Sequence, residues 1–276
     1  MIIAADVPPG THPTIQICGN AFLCTFNYDT LISSGIAIVL TLGLGLGVAY
    51  RLSHGRPGKL QMVLELLLSY IRNLTKEMVS DEGAGFITPI AATIFIFILL
   101  ANWLDFFPLT KPVEPAAADI NLTLAMAIVV IVIVQWYSIH VLGFRGYLRR
   151  FTKPFELPLL GRIFFTPLNI IEEIAKPLSL ALRLFGNIFG GLVMVYLLTL
   201  GFTAFAGSSV LQTALSPIWV ILLVAWKLFD VFLIGTIQAF IFMLLTIIYF
   251  GMAREGLEEE HHGATAHGNE LRRETT

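Results

Sequence analysis

Charge is scarce in this sequence. Of its 276 residues, 13% are Asp, Glu, Lys or Arg, where an ordinary soluble domain carries about 25%. Apolar types make up 56%, and mean hydropathy is +0.80. A disordered chain needs the opposite composition, and a single soluble domain could not hide this much apolar surface. The 17 basic and 19 acidic side chains nearly cancel, so no field of one sign invites nucleic acid. Cysteine is scarce, with only Cys18 and Cys24. GxSxG, HExxH and Cys/His clusters are missing, which removes the usual signatures of an intramembrane enzyme. The start has neither a basic segment nor a small-residue cleavage site, so it does not read as a signal peptide.

What is present is a set of long charge-free runs: 30–50, 83–104, 120–144, 184–226 and 231–253. A helix needs about 20 such residues to cross the hydrocarbon core. The 184–226 run contains AGSSVLQTALSP (206–217), small and polar with a proline, which predicts a turn between two spans. Five membrane-inserted helices follow, at about 30–50, 86–107, 120–143, 167–201 and 217–252. The expected fold class is an all-α membrane protein, because the alternation of a membrane barrel is absent and backbone groups must be paired inside lipid. The last two helices, at about 53 Å each, exceed the core thickness of about 30 Å. They are expected to be strongly tilted or to extend beyond the core.

Basic residues set the orientation. Arg51, Arg56 and Lys59 follow the first span, and Arg145, Arg149, Arg150, Lys153 and Arg162 follow the third. Lys111 alone follows the second, beside Glu114 and Asp119. The positive-inside rule then puts the N-terminus (1–29) outside, the membrane domain at 30–252 and the polar tail (253–276) in the cytoplasm. Segment 60–80 is too charged to span. Its apolar positions 60, 63, 64, 67, 68, 71, 74 and 78 keep helical spacing. It reads as an amphipathic helix at the inner interface, or else as a soluble helix packed on a partner. The tail reads as disordered, with His261, His262 and His267 either solvated or able to meet a metal. Cys18 and Cys24 lie on the expected outside, where a disulfide and two thiols are both permitted.

Seven charges fall inside the spans: Asp105, Glu172, Glu173, Lys176, Arg183, Lys227 and Asp230. Each is costly there, by about 2.5–3.5 kcal/mol at the bilayer centre, and such residues mark ion paths, relays or internal pairs. On a regular helix Glu172, Lys176 and Asn187 lie within about 40° of Arg183. Glu172 and Lys176 form an i, i+4 pair that can neutralise itself, while Glu173 points about 80° away. Arg183 has no acid within one turn. Its counter-charge is either a neighbouring span's carboxylate, such as Asp230, or a carboxylate on another protein. Gly186, Gly190 and Gly191 follow on nearly the same side and let another helix approach closely. On the last span Lys227 and Gln238 share a face. His140, at the inner end of the third span, reads as interfacial.

PLNIIEEIAKPLSLALRLFGNIFGG (167–191), IQAFIFMLLTIIYF (237–250), FIFILLANWLDFFPL (95–109) and AADINLTLAMA (117–127) occur in the order found in subunit a of F-type ATP synthases. Over roughly 30–252 the chain closely resembles that family. The resemblance implies five spans, an interfacial helix and two long tilted helices against a ring of c subunits. It implies b-type peripheral stalk subunits and other ATP synthase subunits as further partners, a bilayer around the chain, no cofactor, and bond-making chemistry on other subunits. Arg183 matches the arginine that faces the ring and attracts each ionised carboxylate. Asn187 and Gln238 match positions that line the outer half-channel or hold the arginine. Asn102, Asp105, Asp119 and Asn121 match polar positions near the outer entrance, and Glu172 and Glu173 match the exit. Asp119 reads equally as a helix cap. The overall pattern points to a bacterial cell inner (plasma) membrane.

Two departures stand out. Many members carry an ionisable residue nine positions after the arginine and a His or Glu seven before the glutamine; here these are Leu192 and Val231. Asp230, one position earlier, is the candidate relay, though on a regular helix its side chain points about 100° away from that position. A self-contained channel or secondary transporter is the alternative reading, but such proteins usually show internal repeats, and none is visible here.

Overall fold

The structure is a computed structural model, and it describes residues 14–16, 25–50, 58–79, 81–106, 119–152, 159–206 and 209–252. A short antiparallel ribbon pairs β1 (Thr14–Gln16) with β2 (Thr25–Asn27) in the register Ile15 to Phe26. Helices follow: α1 (Tyr28–Tyr50), α2 (Lys59–Val79), α3 (Asp81–Leu104), α4 (Ile120–Thr152), α5 (Leu159–Ala206) and α6 (Ser209–Leu228). Beyond α6 the helix passes through a π turn, Phe229–Ile234, and resumes over 235–252. Cys18, Cys24, Lys111, Glu114 and the histidines of the tail lie outside the described residues, as do Arg51 and Arg56 of the first basic loop.

Five helical stretches are long and apolar enough to cross a membrane: Thr30–Tyr50, Gly83–Leu104, Ile120–Phe144, Ile170–Ala204 and Leu215–Met252. The chain is therefore an all-α, multi-pass membrane protein, and α2 is its additional amphipathic helix. The last two stretches rise about 53 and 57 Å at 1.5 Å per residue, far beyond the thickness of a hydrocarbon core. α5 remains helical through Pro167 and Pro177. α4 breaks at Gly143, whose φ of 70° and ψ of 160° belong to a region essentially restricted to glycine. The break falls where the apolar run ends and the basic residues begin.

Two compact units form within the chain. The first comprises Met1–Val63, Thr93–Ala125 and Leu180–Phe242. Its core holds Ala37, Ile98, Leu180, Leu184, Ala239 and Phe242, all nearly inaccessible. Alanines at such contacts let helix backbones approach closely. The second comprises Leu64–Ala92, Met126–Ser179 and Met243–Thr276. There Ile71, Ile87, Ala91, Ile247 and Phe250 are fully buried. Tyr137 stacks on Phe86 at 5.5 Å and meets the Phe250 ring edge-on at 5.3 Å. Gly251 backs onto the Met78 carbonyl, where a Cβ would come within 2.9 Å. On α2 a narrow face is buried at Ile71, Thr75 and Val79, while Leu66 and Tyr70 remain exposed. The apolar arc of this helix is thus wider than the protein covers, as a helix lying on lipid or a partner requires.

Candidate functional site

The first unit gathers most of the polar residues expected to act. Lys227, in the last turn of α6, donates to Asp105 Oδ2 just beyond the end of α3. Both side chains are largely shielded, at 22% and 10% exposure, so this is an ion pair in a poorly solvated place, where loss of either partner leaves the other charge uncompensated. One turn earlier on α3, Asn102 Nδ2 donates to the Gly235 carbonyl at 3.0 Å. The Asn102 Oδ1 atom is buried without a partner among the described residues, and so is Gln238 Nε2. Buried polar atoms of this kind usually mark a water or a functional contact.

Asp230 sits in the π turn and is 7% exposed. Its carboxylate occupies the space beside Gly191 on α5, where any Cβ would overlap both carboxylate oxygens. This corrects the expectation of a single glycine face on α5. Gly186 and Gly190 are exposed with nothing near them, whereas Gly191 is turned inward and filled by Asp230. Arg183 lies on the open side and is exposed. Among the described residues no carboxylate lies within ion-pair distance of it, Asp230 included. Asn187 is half-buried one turn further on.

Asp119 is a cap in this structure. Its Oδ1 accepts the Asn121 backbone N–H at 2.9 Å, which satisfies a free donor in the first turn of α4. Its Oδ2 accepts from Asn27 Nδ2 at 2.6 Å and from the Thr30 hydroxyl at 3.0 Å, tying α4 to the start of α1. Asn121 itself is exposed.

The second unit holds a separate cluster on α5. Lys176 Nζ lies 3.4 Å from Glu172 Oε1 but 2.8 Å from Glu173 Oε1. Glu173 is thus the nearer partner, although helix arithmetic separates it from the stripe. The i, i+3 spacing makes the two side chains neighbours on the helix surface. Glu173 also accepts from Gln135 Nε2 of α4 at 2.8 Å, and it is shielded, with 20% exposure against 64% for Glu172. Gln135 is not among the charged and motif residues that the sequence singles out. Its signal was a lone amide in the apolar run IVIVQWY, since polar groups inside a span are costly and kept for a reason. His140 stacks on Trp136 at 5.6 Å, and both are exposed. Among the described residues no group of His, Cys, Asp or Glu could hold a metal ion.

The ATP synthase A chain family matches residues 31–251. The chain is 40% identical over 268 residues to ATP synthase subunit a of Acidothermus cellulolyticus, covering 94% of this chain and 89% of that protein. With subunit a of Mycobacterium ulcerans it shares 38% over 275 residues, covering 95% and 98%. With that of Shewanella sediminis it shares 36% over 257 residues, covering 88% and 93%. These likenesses run nearly end to end, so they take in both polar clusters rather than one isolated segment.

Proposed function

The chain belongs to the ATP synthase A chain family, and we propose on that premise that it is the stator subunit that couples proton flow to rotation of a c-subunit ring. The observation that carries this reading is Arg183: an exposed, permanently charged guanidinium with no carboxylate partner among the described residues, beside Gly186 and Gly190, which present bare backbone. A cation on a smooth face suits a surface past which a partner's carboxylates move. A fixed cation lowers a nearby carboxylate's pKa and favours proton release. In lipid the same carboxylate must be neutral, so it approaches Arg183 protonated and passes it ionised.

To each of the two clusters we assign one half-channel. Asn102, Asp105, Asp119 and Asn121 form the outer entrance, with Asp119 holding its rim together. Asp230, Gln238 and Asn187 carry the proton from there towards the ring. Glu172 and Glu173 form the inner exit, with Gln135 and Lys176 holding Glu173. The chain itself makes and breaks no bond of ATP. Each elementary charge passing through 100 mV delivers about 2.3 kcal/mol, which the rotor transmits to catalytic subunits elsewhere. A b-type peripheral stalk keeps this subunit from turning with the ring. The setting is a bacterial plasma membrane, N-terminus outside and C-terminus in the cytoplasm.

The test is Arg183→Ala in the assembled complex, assayed in membrane vesicles. Loss of both proton-driven ATP synthesis and ATP-driven pumping, with the subunits still assembled, is the expected result. Normal coupled synthesis would overturn the assignment.

A further inference from the structure

We propose that the π turn Phe229–Ile234 and the bare face of Gly191 together form a register device that places the Asp230 carboxylate on the same face as Gln238, against the helix that carries Arg183. The inference rests on the reading of Asp230 as a proton relay and adds how it comes to be in position.

The argument starts from spacing. Asp230 precedes Gln238 by eight residues. On a uniform α-helix eight residues leave the two side chains about 80° apart, while seven leave them only about 20° apart. The helix is not uniform. The Gly235 N–H donates to the Asp230 carbonyl, five residues back, in place of the usual four. Such a turn takes up one extra residue and returns the helix to its register. Asp230 therefore lies where a residue seven before Gln238 would lie on an unbroken helix. Both side chains are buried, at 7% and 6% exposure.

A π turn is less favourable than an α turn and persists where its surroundings hold it. Here α3 and the residues just beyond it hold it at four points. Lys227, two residues before the turn, pairs with Asp105. Phe232 packs between Trp103 and Phe106, each ring 5.3 Å away. Trp103 Nε1 donates to the Thr236 hydroxyl at 3.4 Å. Asn102 donates to the Gly235 carbonyl, and a Cβ on Gly235 would come within 3.1 Å of the Asn102 side chain. On the other side, Gly191 leaves the one volume that the Asp230 carboxylate fills. Gly191 and the turn are positioning elements. Neither touches the proton.

Three variants of the assembled complex test this, each read as ATP-driven proton pumping per complex. Deleting Val231 gives Asp230 a seven-residue spacing on a plain α-helix, so pumping is expected to stay within about threefold of wild type, whereas moving the acid by Asp230→Asn with Val231→Asp is expected to lower it by about a hundredfold, the usual weight of a placed proton-transfer group. Gly191→Ala is expected to lower pumping and to displace the pH–rate profile, because the carboxylate must leave its seat. Loss of pumping on deleting Val231 in a complex that assembles, or full pumping when the acid sits at 231, overturns the register inference. If the deletion variant does not assemble, the variant with the acid moved to 231 decides the matter, since it keeps the chain length. Asp230→Asn alone separates the two levels: unchanged pumping there removes Asp230 as a relay, while its loss leaves the relay standing whatever the deletion shows.

Discussion

Lys227 reaches Asp105 across 122 residues of sequence, and the two close a shielded ion pair at the end of α3. Neither charge is tolerable alone in such a place. Removing one partner of a buried pair leaves the other uncompensated, at a cost of about 3–5 kcal/mol, while removing both is often neutral. Lys227→Met should therefore lower the amount of subunit in membranes and the melting temperature of the solubilised complex. Adding Asp105→Asn should restore much of both. A single variant as stable as wild type would show that the pair is solvated.

Gly186 and Gly190 face open space, while Gly191 is filled by Asp230. Cysteines at 186 and 190 should be labelled by a membrane-permeant maleimide in the isolated subunit and protected from it in the complex. They should also crosslink to a small multicopy proteolipid. Crosslinks formed only between copies of this chain would point to a self-contained channel instead.

Glu173 accepts from both Gln135 and Lys176, whereas Glu172 is largely in the open. A hydrogen bond to a charged group contributes about 1.5–3 kcal/mol, and an exposed pair contributes about 0–1 kcal/mol. Glu172→Gln should leave pumping within about twofold, and Glu173→Gln should depress it about tenfold or more. Gln135→Leu should fall between them. Equal effects of the two glutamate variants would contradict the ranking.

Gly143 breaks α4 with a positive φ. A side chain there costs about 1–3 kcal/mol of backbone strain. Gly143→Ala should reduce thermal stability by that amount, and proteolysis of membranes at graded temperature would reveal it. Thr30→Val removes one of the three donors to Asp119 and should cost about 1 kcal/mol, measurable in the same way.

The spans were legible because lipid imposes a crude rule, some 20 uncharged residues in a row, and this chain obeys it five times. The amphipathic character of α2 was legible for the same kind of reason, as a period of 3.6 interrupted by charges. The pairing of polar groups was not. Wheel arithmetic joined Lys176 to Glu172, four residues away, and passed over the i, i+3 neighbour Glu173, which is the nearer partner. It set Asp230 about 100° from the place seven residues before Gln238 because it had no means of foreseeing a π turn. That turn is held by Asn102, Trp103, Asp105 and Phe106, more than 120 residues earlier.

By itself the sequence determined that the chain lives in a bilayer, which stretches cross it, and which few charges are kept there against a large desolvation cost. It also left Arg183 without a local acid. Only the tertiary structure decided which of those charges are internally satisfied. Asp105 and Lys227 pair because segments distant in sequence meet, and Glu173 gains the Gln135 amide of α4 beside its local partner Lys176. Asp230 finds a seat because Gly191 has no side chain. Arg183 is left exposed, with no carboxylate within ion-pair distance among the described residues.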